Sequence, residues 1–234
     1  MGTIKKFVNG SFSEDFGEFG GNIFGQPFLC VYGKTKPRIL SGAEIIEWPL
    51  CEGLNSYIRF MPSEELKSYV SEKEGTRIDG SIVLTKQIAE HYDISCTSAL
   101  MQAIDFMETD GVTELPMIDH LVKLGACPAE VARFIPKDDP TRQIRVIATK
   151  HHHSEYGAGV LGNTKIMDSI REQMGDFYII PSSIHEIIAV PMSLGTTPDD
   201  LVEMVHQVNA SEVAPSDQLS DEVYIYDAEG LHQA

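Results

Sequence analysis

The sequence has no long hydrophobic runs and little cysteine. Its longest apolar stretches, such as residues 177–180 and 187–190, are far shorter than the roughly 20 residues that cross a bilayer, and the first residues do not form a basic segment followed by an apolar one. Its four cysteines are spaced too widely for a metal knuckle or a disulfide framework. We therefore expect a soluble, cytoplasmic protein with buried free thiols.

Positive charge is also scarce. The chain has 18 Lys and Arg against 35 Asp and Glu, a formal net charge of −17, and no Lys or Arg follows Arg171. This balance disfavours direct binding to a nucleic-acid backbone or an anionic membrane. The acidic C-terminal segment forms either a solvated surface or a contact for a protein partner with a basic surface. In the second case the predicted contact residues are Asp199, Asp200, Glu203, Asp217, Asp221 and Glu222.

Complete catalytic signatures are missing from the sequence. It has no nucleotide-binding glycine motif after a strand, no HExxH pair and no GxSxG serine elbow. Gly157-Ala158-Gly159 has too little around it to cradle a phosphate, and we expect its glycines to mark a bulge or close packing. We therefore predict no cofactor.

Two groups of residues nevertheless carry reactive chemistry. Ser183, His185 and Glu186 bring a hydroxyl, an imidazole and a carboxylate together. In a strand, the side chains of Ser183 and His185 lie on one face and that of Glu186 on the other. Ser183 and His185 are therefore either a catalytic pair, or a serine whose hydroxyl bonds the backbone of a turn and a histidine with a structural hydrogen bond. In the three-histidine run, His151 and His153 are candidate metal ligands, although the sequence indicates no third ligand.

Composition favours a globular protein, because 42% of the residues are hydrophobic. Glycine and phenylalanine are frequent near the N-terminus, which indicates a flexible arm that docks through its aromatic rings. Changes in composition divide the chain into this arm at 1–26, a β-rich subdomain at 27–80, a helical region at 81–140 and an α+β region at 141–234.

The N-terminal half reads as a mixture of strands and helices. Short β-branched and aromatic runs bounded by Gly and Pro predict strands at 28–32, 43–48, 56–61 and 81–84. Capping residues and apolar spacing predict helices at 63–73, from Thr85 to about residue 92, from Ser95 or Thr97 to about 108, and as short turns at 115–125 and 129–134.

The C-terminal part predicts an α+β fold in the order strand, strand, helix, strand, strand, helix, strand. Strands 144–149 and 156–161 are expected to form one hairpin, strands 177–181 and 184–190 a second, and 222–226 the last strand. Asn163 or Thr164 caps the first helix and Thr197 the second. The predicted core of this part is Ile166, Ile170, Phe177, Ile179, Ile188, Leu201, Met204 and Val205.

Two segments also carry a family resemblance. The run DFYIIPSSIHEIIAVP at 176–191 and the run LSDEVYIYD at 219–227 resemble an uncharacterised family of Clostridia and related Firmicutes, catalogued as domain of unknown function 5688. The resemblance covers residues 143–227 and, faintly, 81–110. It implies a bacterial mobile-element setting, and the family brings no known activity with it. The three consecutive histidines depart from the family pattern.

Three functions remain open at this level. The leading hypothesis is a non-enzymatic, acidic protein-binding or regulatory protein. The first alternative is a small hydrolase or metal-dependent enzyme that uses Ser183, His185 and the 151–153 loop. The second is an acidic nucleic-acid mimic that inhibits a DNA-binding partner.

Overall fold

The computed structural model describes residues 25–37, 43–61, 77–78, 81–132, 139–150, 156–181 and 183–234. The predicted N-terminal arm up to residue 24, the helix at 63–73, Ser182, and the candidate metal ligands His151 and His153 lie outside these residues. The described elements are helices and two antiparallel sheets, which confirms the predicted α+β fold. Within this part of the chain, none of the helices is long and apolar enough to cross a membrane.

The first sheet is built around one central strand. Its strands are β1 (Pro27–Tyr32), β2 (Glu47–Cys51), β3 (Leu54–Phe60), β4 (Arg77–Ile78) and β5 (Ser81–Val83). β3 pairs with β1 on one edge and with β2 and β5 on the other. The strands predicted at 28–32, 56–61 and 81–84 are confirmed, whereas the one predicted at 43–48 begins only at Glu47.

The α-helices described after the first sheet, up to residue 132, are α1 (Lys86–Tyr92), α2 (Cys96–Asp110), α3 (Met117–Lys123) and α4 (Ala129–Ala132). The side chains of Thr85 and Ser95 cap α1 and α2, as predicted, by accepting hydrogen bonds from backbone N–H groups in the first turn of each helix. The predicted helical region also contains a strand, β6 (Val112–Pro116). The sequence did not predict this strand, and the helical turn predicted from residue 115 overlaps its end.

The second sheet has six strands in the order β11-β10-β8-β9-β7-β6, all antiparallel. The five strands besides β6 are β7 (Arg145–Thr149), β8 (Phe177–Ile180), β9 (Ile187–Pro191), β10 (Tyr224–Asp227) and β11 (Gly230–Gln233). The hairpin predicted across residues 177–190 is confirmed as β8–β9, although β9 starts three residues later than predicted. Sequence reasoning missed β11.

The strand predicted at 156–161 is wrong. These residues form a buried 3₁₀ helix, Gly157–Gly162, and β7 pairs with β6 and β9 instead. The helix approaches its neighbours too closely for larger residues, because a Cβ on Gly159 would lie 2.0 Å from the Leu29 carbonyl oxygen. A Cβ on Gly157 would lie 2.3 Å from the His185 oxygen. Close packing explains these glycines.

Two further helices complete the C-terminal part: α5 (Thr164–Met174) and α6 (Pro198–Ser211). Asn163 caps α5, and Thr197 forms a capping box with Asp200 at α6, which confirms both predicted helix starts.

The core predicted for the C-terminal part divides into two clusters. Ile170, Phe177 and Ile179 belong to the main core, which joins both sheets, and Ile166 packs against it. On the other face of the second sheet, Leu201 and Val205 pack in a separate cluster that Ile188 borders. Met204 is 51% exposed and lies outside both, so its predicted burial is wrong. The predicted boundaries at residues 80 and 140 stay a prediction.

Candidate ligand-binding cleft

The outer face of the first sheet combines aromatic side chains with one cation. Side chains alternate along a strand, so Ile58 and Phe60 of β3 enter the main core while Tyr57 and Arg59 face outward. The β1–β3 register sets Cys30 beside Tyr57 and Phe28 beside Arg59. Arg59 is only 1% exposed. Burying a guanidinium is costly, so its surroundings must stabilise the charge.

Arg59 is held from two sides. Its Nε donates a hydrogen bond to Ser81 Oγ at 2.6 Å, and its Cζ lies 4.0 Å from the centre of the Tyr156 ring. The second contact has cation–π geometry, in which the electron-rich ring face attracts the guanidinium. Burial raises the pKa of Tyr57 well above its ordinary value and that of Cys30 to about 12. At neutral pH both groups are therefore uncharged, while Arg59 keeps its charge.

Tyr156 covers this cation in an unusual backbone conformation. Its φ is +58°, in the left-handed region that residues other than glycine rarely adopt. Its N–H donates a long hydrogen bond, 3.4 Å, to His185 Nδ1. The ring centre lies 6.2 Å from that of Phe28 and 6.0 Å from that of His185. Tyr156 thus connects β1 and β3 to the loop that carries His185.

His185 and Ser183 are close in the structure but do not form a nucleophile–base pair. The Ser183 hydroxyl accepts a hydrogen bond from the His185 backbone N–H at 2.9 Å, as in a turn. Because His185 Nδ1 accepts from the Tyr156 N–H, the neutral ring carries its proton on Nε2, which lies 3.7 Å from Asp217 Oδ2. This geometry favours the structural role, and catalysis by Ser183 and His185 stays a prediction that no described contact supports.

A cleft of about 860 Å³ opens above these residues, a size typical of small-molecule sites. Its lining includes Thr35, Lys36 and Pro37 from the loop after β1, and Pro215, Ser216 and Asp217 from the loop before β10. The two loops are joined by the Lys34 N–H, which donates to the Leu219 carbonyl at 2.7 Å, and by a Lys34–Asp221 ion pair. Tyr32, Tyr57, Arg59, Tyr156, Ile184 and His185 also line the cleft.

Two residues predicted for separate roles, His185 and Asp217, therefore meet in this cleft. Sequence reasoning missed Tyr57, Arg59 and Tyr156. The signal for Arg59 is that it is the one charged residue of the strand Leu54–Phe60 and stands between the apolar and aromatic residues Ile58 and Phe60. No local signal identifies Tyr156, because its contact with Arg59 joins distant parts of the chain.

The remaining acidic residues have different local roles. Asp200 caps α6, and Asp221 pairs with Lys34 and accepts a hydrogen bond from Asn209. Both carboxylates thus contribute to the fold. Three others, Asp199, Glu203 and Glu222, are exposed. Their predicted role as partner contacts stays a prediction.

The described residues offer no obvious metal centre. Among them, no group of three or more His, Cys, Asp or Glu side chains is arranged to hold a metal ion. All four cysteines, which lie within this part of the chain, are free, and Cys30 is the buried one. Metal binding by His151 and His153 stays a prediction.

Comparison with known proteins identifies the family. No curated protein and no solved structure matches the chain. The model of a family of unknown function, DUF5688, matches residues 67–228. This match begins well before the resemblance predicted at 143–227, covers most of the chain, and includes Tyr156, His185 and Asp217 but not Arg59. The chain belongs to the DUF5688 family of unknown function.

Proposed function

We propose that the protein is a non-enzymatic binding protein whose cleft holds a small organic anion. The observation that carries this proposal is the buried Arg59 guanidinium in the lining of a cleft of about 860 Å³. Arginine presents a planar set of donors that suits carboxylate and phosphate oxygens. Binding is favoured over catalysis because the Ser183 hydroxyl and both His185 ring nitrogens already face other groups.

The aromatic lining indicates which anions fit. Tyr32 and Tyr57 offer flat apolar faces to a ring or a planar chain. Burial raises the pKa of Tyr32, and that of Tyr57 well above its ordinary value, so both hydroxyls stay protonated and do not repel an anion. A small aromatic carboxylate or phosphate matches both features.

Three molecules of the same shape test the charge requirement. We expect benzoate to bind in the millimolar range and to shift the NMR signals of the His185 and Tyr156 rings. Benzamide, which is neutral, and benzamidine, which is cationic, should bind far more weakly. Equal binding of benzamide and benzoate would contradict the proposal, and tighter binding of benzamidine would assign the cleft to cations through Asp217.

Arg59→Met tests the residue itself. Methionine replaces a buried ion with an apolar side chain, which proteins often tolerate. Loss of a charge-assisted hydrogen bond costs about 1.5–3 kcal/mol, so benzoate should bind about 10- to 150-fold more weakly. Arg145→Met is the matched control, because Arg145 is also buried but pairs with Glu114 on the second sheet. Equal loss of benzoate binding in both variants would point to a general effect on folding.

A protein partner with a basic surface is the second candidate. It is favoured by the exposed carboxylates of Asp199 and Glu203 on α6, in a segment without Lys or Arg. The resemblance stated from the sequence adds a bacterial mobile-element setting to this candidate, and the composition of the sequence adds a cytoplasmic location. A nucleic-acid mimic would need a line of free carboxylates, so the internal roles of Asp200 and Asp221 favour a protein partner.

Reversing Asp199 and Glu203 to lysine tests this second candidate. Asp200 is left unchanged because it caps α6. A partner isolated from the native cytosol should associate more slowly with this variant, most strongly at low ionic strength. Glu229→Lys, on the exposed β10–β11 turn, is the matched control. Failure to recover a specific partner, or equal association rates, would contradict the candidate.

A further inference from the structure

We infer that Tyr156 is an internal occupant of the Arg59 site and that a ligand must displace its ring to bind the guanidinium, so that only an anion binds measurably. The inference rests on the proposed function. Arg59 is 1% exposed, and the Tyr156 ring lies 4.0 Å from its Cζ. Because the ring lies against the guanidinium, we expect a ligand oxygen that binds Arg59 from the cleft to move the ring aside.

The local structure makes Tyr156 the point where such a movement can begin. The following 3₁₀ helix is fixed, because Gly157 and Gly159 approach backbone oxygens too closely for a Cβ. Tyr156 itself has a φ of +58° and a long hydrogen bond to His185 Nδ1, and its neighbouring rings lie about 6 Å away at tilted angles. Rotation at Tyr156 would relieve an unfavourable backbone conformation without moving the helix.

Displacement by an anion and by a neutral ligand differ in free energy. An anion replaces the cation–π contact with charge-assisted hydrogen bonds, which are roughly twice as strong as neutral ones. A neutral ligand of the same shape displaces the ring and forms only the weaker bonds. The Tyr156 ring therefore lowers the affinity for every ligand by the same factor, and only an anion forms bonds strong enough to keep a measurable affinity.

Tyr156→Gly is the direct test, with benzoate and benzamide as probes. Glycine accepts the left-handed backbone and removes the ring. Benzoate should bind about 2- to 30-fold more tightly, which corresponds to the range of a cation–π contact. Benzamide should gain affinity by the same factor, so that its binding becomes measurable while the ratio of the two affinities stays unchanged. Tyr156→Asn, which also tolerates this backbone, repeats the test if the glycine variant folds poorly.

Tyr156→Phe is the comparison variant: it keeps the ring over Arg59 and removes the hydroxyl that bonds to the guanidinium, so it should gain less benzoate affinity than Tyr156→Gly does. Weaker or unchanged benzoate binding in the glycine and asparagine variants would overturn the inference and make Tyr156 an ordinary wall of the cleft. That outcome leaves the proposed function intact, since the parent protein still binds benzoate. Absence of benzoate binding in the parent and in both ring-deleted variants would instead overturn the proposed function itself.

Discussion

Replacing Gly159 with alanine should destabilise the protein by about 3 kcal/mol, at the upper end of the range for overpacking. The new Cβ would lie 2.0 Å from the Leu29 carbonyl oxygen and 2.9 Å from its carbon. These are backbone atoms of β1, which is paired with β3 and fully buried at this point. The strand cannot yield without disturbing the first sheet, so the variant should lose more stability than a clash with a flexible side chain would cause.

Thermal unfolding measures this difference. In a protein of this size each kcal/mol shifts the Tm by about 2–4 °C, so Gly159→Ala should melt about 6–12 °C below the parent. Gly125→Ala is the matched control, because no atom lies within 4 Å of its Cβ position and the cost is only that of its positive φ. Strain of this kind, without any close contact, costs about 1 kcal/mol, or about 2–4 °C. Equal melting temperatures for the two variants would refute the close approach of the 3₁₀ helix to β1.

Two further predictions follow from burial. Leu201→Ala should lower the free energy of unfolding by about 2–5 kcal/mol because Leu201 is buried. Met204→Ala should change it by no more than about 0.5 kcal/mol, because Met204 is exposed. Similar urea midpoints for the two variants would place Leu201 outside the core. Burial raises the pKa of Cys30 to about 12, so iodoacetamide at pH 8 should label the partly exposed Cys127 in the native protein and reach Cys30 only after unfolding. Mass spectrometry that finds Cys30 labelled as quickly as Cys127 would contradict this protection.

Local signals in the sequence predict the helix starts well. Asn163 and Thr197 act through hydrogen bonds to residues three positions away, so the information lies within one turn of chain. The burial of α6 is predicted less well, because Leu201, Val205 and Asn209 face the sheet at intervals of four residues. Met204 lies three positions after Leu201 and falls at the exposed edge of the same helix.

The cleft could not be predicted from local patterns. Residues 156–161 have the composition of a short strand, and only their contact with β1 and the His185 loop requires a 3₁₀ helix. The same contact carries Tyr156 onto Arg59, almost a hundred residues earlier in the chain. Such long-range juxtapositions depend on strand register and sheet packing, which a single sequence specifies only indirectly.

A crystal structure of the protein soaked with 4-iodobenzoate tests the anion site most directly, because the iodine locates the ligand independently of the protein atoms. We expect iodine in the cleft between the Lys36 and Ser216 walls, the carboxylate within hydrogen-bonding distance of Arg59, and the Tyr156 ring moved off the guanidinium. A cleft without ligand, or a ligand bound there with its carboxylate directed away from Arg59, would contradict the proposal.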